Sequence, residues 1–259
     1  MRVIGITNQK GGVGKTTTAI NLGATLAAME YKVLIIDLDP QGNASTGLGV
    51  DSTDRELTTY DLLLEGAALR DVVVPTDVAN LAIAPATTDL SSTDVELSSR
   101  DNRIFLLKEA LHQSDKLYDI VLIDCPPSLS LLTVNALVAA DSVLVPLQAE
   151  FFALEGLSQL MLTIRDIRET ANPSIRIEGV VLTMHDPRNN LSRQVEEDAR
   201  KTLGQLVFKT RIPRNVRLGE APSFALPVIA YDPTSKGSHA YIDLAQELIA
   251  RQTSQKEPV

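Results

Sequence analysis

Two lysines stand five positions apart in the stretch NQKGGVGKTT, residues 8–17. A glycine-rich turn between a strand and a helix lets backbone N–H groups converge on phosphate oxygens, and the positive end of the helix dipole adds to the attraction. GGVGKT has that layout, with Gly11, Gly12, Val13, Gly14 and Thr17 around the phosphates. Lys15 is expected to contact the β and γ phosphates, and the Thr16 hydroxyl to ligate Mg²⁺. Where such a loop usually opens with glycine, this one has Gln9 followed by Lys10. That second lysine is either an exposed loop residue, a helper within its own subunit, or a group with a target elsewhere.

Three acids complete the set. LIIDLDP and VLIDCPPS each close an apolar run on aspartate: Asp37 and Asp39 in the first, Asp124 in the second. In a parallel sheet the carboxyl ends of the strands lie beside the phosphate loop, so the three should converge near the metal and the γ-phosphate. Alternation along an extended chain sends Asp37 and Asp39 the same way. Asp39 is assigned to the attacking water and Asp37 to the metal shell. No Asn-Lys-x-Asp loop for guanine is present, which favours adenine.

These residues need a scaffold. Short β-branched runs, RVIGIT, KVLIID, YDIVLID, SVLVPL and IEGVVLTM, alternate with longer helical patterns. They read as buried parallel strands in a doubly wound, mostly parallel α/β sheet flanked by helices. Residues 101–113, 153–170 and 238–250 read as helices, the last with Tyr241, Leu244, Ala245, Leu248 and Ile249 on one face. Residues 42–60 and 85–100, rich in Gly, Ser, Thr and Asp, read as loops, the first mobile. Neither repeat nor linker divides the chain, so one domain is expected over residues 1–252, followed by a polar tail at 253–259.

Composition excludes several classes. With 24 basic and 33 acidic residues the formal charge is −9, so any nucleic-acid contact must be local. The single Cys125 cannot form an internal disulfide or supply its share of an iron–sulfur site. No leader-like or membrane-spanning run is found, which points to the cytosol. The histidines, His112, His185 and His239, have no zinc spacing, and no serine nucleophile motif occurs.

KGGVGKTT, DLDPQGNAST, DCPPSL, ALEGLSQL and IPRNVRLGEAPS together resemble the ParA/Soj partition ATPases, within the deviant Walker A group that includes MinD, from about residue 2 to 250. The resemblance implies that Lys10 crosses to the nucleotide of a second subunit when two ATP-loaded monomers pack face to face, acting in trans as an arginine finger does. It also implies hydrolysis by Asp39, Mg²⁺ at Thr16, a second-switch and metal-shell role for Asp124, and an adenine end near Pro213 and Asn215. Partners would be a second copy of the chain, non-specific double-stranded DNA and a ParB-like stimulator, with the protein on the nucleoid. No appended N-terminal operator-reading domain is expected.

From Arg188 to Arg217 eight basic residues face three acidic ones, a local charge of +5 that leaves −14 for the rest. Backbone phosphate contacts give affinity without sequence preference. The resemblance puts Arg188 and Arg217 first as DNA contacts; Arg193, Arg200 and Lys201 serve equally well as a solvated helix face. One departure is SFALP at 223–227, where relatives often carry glycine and lysine: Leu226 cannot grip a phosphate. The competing readings are a MinD-like membrane switch, against which the polar tail argues, and a small-molecule enzyme on the same scaffold.

Overall fold

The computed structural model describes all residues except 115–116, 151–152 and 257–259; for 153–155 and 253–256 it describes the backbone alone. Eight strands form one sheet in the order β3-β4-β2-β5-β1-β6-β7-β8, with β1 Arg2–Ile6, β2 Val33–Asp37, β3 Val74–Pro75, β4 Leu81–Ala84, β5 Ile120–Asp124, β6 Ser142–Gln148, β7 Arg176–His185 and β8 Val207–Pro213. Every pairing is parallel except the short β3–β4 contact. The doubly wound sheet expected from the alternating apolar runs is therefore present.

Parallel strands buried on both faces explain why those runs carry so few polar residues. Along β1, β2 and β5, alternate residues go to opposite faces. Ile4, Ile35 and Leu122 pack with Ile20, Leu26 and Leu244, whereas Val3, Ile36 and Val121 pack with Leu107 and Leu132. The first face is covered by α1 (Lys15–Ala28) and the last helix; the second by Leu106–Gln113 and Leu131–Ala139. The helix at 153–170 is observed as Ala153–Thr170, whereas the one expected over 101–113 begins only at Leu106, after a run of turns. The final helix, Lys236–Lys256, runs four residues beyond the expected domain boundary at 252 into the segment read as tail. Residues 257–259 of that segment lie outside the described residues.

Three strands escape the sequence pattern. β3 and β4 are two and four residues long, and β8 places exposed Lys209 and Arg211 between buried neighbours. β8 is an edge strand, and its outward donors do not stay open: the Glu247 carboxylate accepts from Lys209 N at 2.8 Å and Thr210 N at 2.9 Å. Arg251 lies 3.9 Å over the Phe208 ring. This arrangement fastens the last helix to the sheet margin and protects a pairing edge.

Residues 42–60, expected as a mobile loop, instead contain a short helix, α2 (Asn43–Gly47), and a 3₁₀ turn at Ser52–Asp54. Its buried residues Ala44, Ser45, Leu48 and Val50 hold the segment against the body of the protein. Its composition is that of a loop, but tertiary hydrogen bonds decide its conformation.

Candidate functional site

β1 ends at Ile6 and α1 begins at Lys15, so the intervening turn stands at the carboxyl edge of the sheet. Gly12 (φ 73°) and Gly14 (φ 88°) take left-handed conformations that side chains disfavour. Three side chains brace the loop. Asn8 Nδ2 donates to Pro146 O at 2.7 Å while its Oδ1 accepts from Lys10 N at 3.1 Å, and Thr183 on β7 donates to Val13 O at 2.8 Å. Lys15, buried at the start of α1, donates to Lys10 O at 3.1 Å. Burial lowers its pKa; the charges of Asp124, then Cys125 and Asp39, oppose that shift.

The three aspartates converge but play different parts. Asp37 and Asp124 are register partners at the ends of adjacent strands, and both are fully buried. Asp37 is saturated: Oδ2 accepts from Ser45 N at 3.0 Å and Ser45 Oγ at 2.7 Å, and Oδ1 from Asp39 N at 3.1 Å. Burial raises its pKa to about 6 despite those bonds. Asp124 has no hydrogen-bond partner for either oxygen among the described residues. Burial first and the Asp37 charge second push its pKa well above the usual carboxylate range, against the Thr16 hydroxyl and Lys15. Asp39, 9% exposed, accepts from Gln41 N at 3.0 Å through one oxygen.

Among the described residues no three His, Cys, Asp or Glu side chains close into a metal-binding group. The acids are neighbours, not a chelate, because Asp37 directs its oxygens to backbone and serine donors. An orphaned buried carboxylate is costly unless a cation meets it. Asp124 with the Thr16 hydroxyl nearby therefore suits a hard, oxygen-seeking Mg²⁺ that takes its remaining ligands from phosphate and water.

A cleft of about 200 Å³ opens from the loop, lined by Gly14, Thr17, Thr183, Met184, Pro213 and Asn215, among others. Pro213 and Asn215 are thus beside the phosphate loop, although some 200 positions away in sequence. Asn215 also caps the helix Val216–Glu220 by accepting from Arg217 N at 2.8 Å. Met184 at the mouth has φ 49°, an uncommon backbone state for such a side chain and one that clusters at functional sites.

A family profile described as an AAA domain matches residues 1–177. Chromosome partitioning protein ParA of Caulobacter vibrioides is 55% identical over 254 residues, covering 97% of this chain and 95% of the relative. Sporulation initiation inhibitor protein Soj of Bacillus subtilis is 52% identical, covering 96% and 98%. The chain belongs to the ParA/Soj family. A solved Mycobacterium smegmatis protein described as cobyrinic acid a,c-diamide synthase, with bound ATP analogue and magnesium, matches with TM-score 0.86 at 36% identity, covering 99% of this chain and 97% of that one. Its bound ligands agree with ATP and Mg²⁺ as the cofactors of this ParA/Soj scaffold, and the chain is an ATPase of that family.

Lys10 does not turn into its own phosphate site. Its ammonium pairs with Glu150 at the surface, each side chain over 40% exposed. Among the basic residues, Arg188 is 89% exposed and clasps Asp186 through both Nε and Nη2 at 3.0 Å. That contact lowers the Asp186 carboxyl to about 2. Arg217 bonds Glu220 at 2.7 Å and Asp232 at 3.2 Å, and Arg193 touches Asn190. Arg200 is largely committed elsewhere: with Arg211 it converges on one oxygen of Glu196, and it also donates to Phe208 O. Lys201 is exposed and makes no ion pair among the described residues. Among the described residues, no helix is long and apolar enough to cross a membrane.

Sequence reasoning passed over Asn8, Thr183, Met184 and Ser45. Asn8 stands next to the glycine turn, which was a usable signal; Ser45 and Thr183 are small polar residues whose roles exist only through contacts distant in sequence.

Proposed function

We propose that this chain is a DNA-partitioning ATPase that toggles between a monomer and an ATP-sandwich dimer, binds DNA without sequence preference as the dimer, and is stimulated to hydrolyse ATP by a ParB-like partner. One observation carries the reading: the two lysines of the loop have divided roles. Lys15 is buried and pointed back along its own loop, while the Lys10 ammonium is outside, paired among the described residues with the exposed carboxylate of Glu150. An exposed ion pair contributes little, about 0–1 kcal/mol, so a phosphate offered by a second subunit competes for Lys10 readily.

In this mechanism Gly11, Gly12, Val13 and Gly14 cradle the phosphates, with Thr17 beside them, and Lys15 neutralises the β and γ oxygens from within. Thr16 and Asp124 would hold Mg²⁺, which would neutralise charge developing on the phosphates. Asp37 contributes negative charge to that metal shell rather than a ligand atom. Asp39 orients the attacking water, and Lys10 reaches the γ-phosphate of the facing copy. Pro213 and Asn215 border the adenine. Arg188 and Arg217 meet DNA phosphates by exchanging their intramolecular carboxylates for them, with Lys201 and Arg193 beside them and Arg200 positioning the helix. Such a protein resides in the cytoplasm on the nucleoid.

Light scattering with no nucleotide, ADP and a slowly hydrolysed ATP analogue tests the reading. The expected result is a mass doubling with the analogue alone, lost in Lys10→Ala while analogue binding persists. An analogue-dependent dimer that survives Lys10→Ala would reject the trans role. Replacing Arg188 and Arg217 together should abolish most DNA retention without affecting the dimer; unchanged retention would place the DNA surface elsewhere.

A further inference from the structure

The loop that follows Asp39 is held by a half-buried guanidinium whose hydrogen bonds go to neutral oxygens, the charges of Asp37 and Asp51 acting on it only from a distance. Arg55 makes five hydrogen bonds to four acceptors: Nε to Val50 O at 3.1 Å, Nη1 to Ala86 O at 2.6 Å, and Nη2 to Val50 O at 2.8 Å, Thr46 Oγ1 at 2.8 Å and Gly42 O at 3.4 Å. It forms no ion pair among the described residues. A planar guanidinium with its donors spent on neutral oxygens acts as a template: the fork sets where several backbone segments stand relative to each other.

One of those segments closes the turn that carries Asp39. Gly42 N donates to Asp39 O at 2.8 Å, closing the turn 39–42, and Gly42 has φ 60°. A Cβ there would collide with Arg55 Nη1 and come within 2.9 Å of Ala86 O, so the turn and the guanidinium are packed as one unit. Ala86 is gripped from its other side too, because its N–H donates to Ser45 Oγ at 3.0 Å and Ser45 in turn bonds Asp37. Thr59 Oγ1 closes the ring on Asp37 O at 2.8 Å. The loop that carries Asp39 is thereby clamped to the residues after β4, through Arg55 on one side and Asp37–Ser45 on the other.

We infer that Arg55 is a positioning residue for ATP hydrolysis: it sets the turn 39–42, and hence the Asp39 carboxylate, without touching nucleotide. The inference rests on Asp39 orienting the attacking water. Displacements of about 1 Å in such a group cost on the order of 100-fold in rate, whereas the phosphate loop, braced separately by Asn8 and Thr183, is left intact.

The test is single-turnover hydrolysis alongside nucleotide affinity, analogue-dependent dimerisation and thermal melting for Arg55→Lys, Arg55→Ala, Gly42→Ala and Asp39→Ala. Arg55→Lys and Gly42→Ala are each expected to slow hydrolysis about 10- to 100-fold, with ATP affinity within about threefold of wild type and the dimer preserved. Methylguanidinium at millimolar concentration should restore part of the rate to Arg55→Ala and none to Asp39→Ala. Adding Arg55→Ala to Asp39→Ala should cause little further loss. Hydrolysis, affinity and dimerisation falling together in Arg55→Lys and Gly42→Ala would overturn the inference in favour of a general structural role, as would wild-type turnover in both. Wild-type turnover in Asp39→Ala would instead remove the assumption about Asp39, an outcome readable independently of Arg55.

Discussion

The ends of β2 and β5 lie side by side, with Asp37 opposite Asp124 in register, both fully buried and both with raised pKa values. At the β2 end both carboxylate oxygens are occupied by Ser45 or Asp39 donors; at the β5 end neither oxygen has a hydrogen-bond partner among the described residues. Equal burial thus supports opposite purposes. A saturated acid pins a segment of chain, whereas an unsatisfied one stores a demand for a cation. The difference also explains why two acids can be adjacent in a low-dielectric site: the pair is tolerable when one is hydrogen-bonded and the other is met by metal or proton.

The comparison breaks most visibly at Asp124. Asp124→Asn is expected to cut ATP hydrolysis by about 100- to 1000-fold, the scale for losing one preorganised electrostatic group. It should also leave the apo protein about as stable as wild type, because at most a weak Thr16 contact is lost and burial with the Asp37 charge already opposes ionisation of Asp124. Steady-state kinetics with Mg²⁺ titration and urea melts check both halves, and a large destabilisation would show that Asp124 is a structural residue after all. Asp37→Asn should do the reverse to stability. Its amide N–H₂ group confronts N–H and O–H donors, so unfolding should become easier by about 2–3 kcal/mol. An unchanged urea midpoint would deny the pinning role.

A smaller effect is the pH dependence of apo stability. For Asp37 the folded pKa of about 6 exceeds the ordinary 3.8, so the folded state binds more protons than the unfolded state in that interval. The corresponding stability is present below about pH 4 and is lost as pH rises through about 6; Asp124 shifts in the same direction. Melts of the apo protein should therefore show this contribution declining from pH 4 to 7, and Mg²⁺ with ADP should flatten the decline by meeting the Asp124 charge. The smallest effect is expected at Thr183→Val, which removes one brace of the phosphate loop. A loss of about 1 kcal/mol in stability is anticipated, with a modest rise in KM for ATP.

The phosphate loop was legible because its chemistry is local: strand, left-handed glycines, lysine and helix follow one another within about a dozen residues, and each step has a mechanical reason. The strand-end aspartates were legible as a group for a similar reason, since apolar runs ending in acid place the acid at the sheet edge. Their individual duties were not. Asp37 differs from Asp124 through Ser45, eight positions on, and through the fold of a segment whose Gly, Ser and Thr content reads as loop. Arg55, which organises that segment, carries no motif at all. β8 was hidden because three polar residues, Lys209, Thr210 and Arg211, interrupt its short apolar run, and its covering Glu247 lies 37 positions from Thr210. The basic window was countable, but its counterions were not: that Arg200 and Arg211 share Glu196 depends on a helix packing against a strand.

By itself the amino-acid sequence determined the parallel α/β scaffold, the phosphate loop and the collection of acids at its edge, because periodicity and short-range turn chemistry act within a few residues. The tertiary structure alone decided that Asp37 is hydrogen-bonded while Asp124 has no such partner among the described residues, that Lys15 turns inward while Lys10 lies outside, and that the Arg55 guanidinium meets four neutral oxygens of Gly42, Thr46, Val50 and Ala86. Those outcomes depend on how hydrogen-bond donors from distant segments are shared out in a site closed to water, where each buried polar group must find a partner or retain the cost of lacking one.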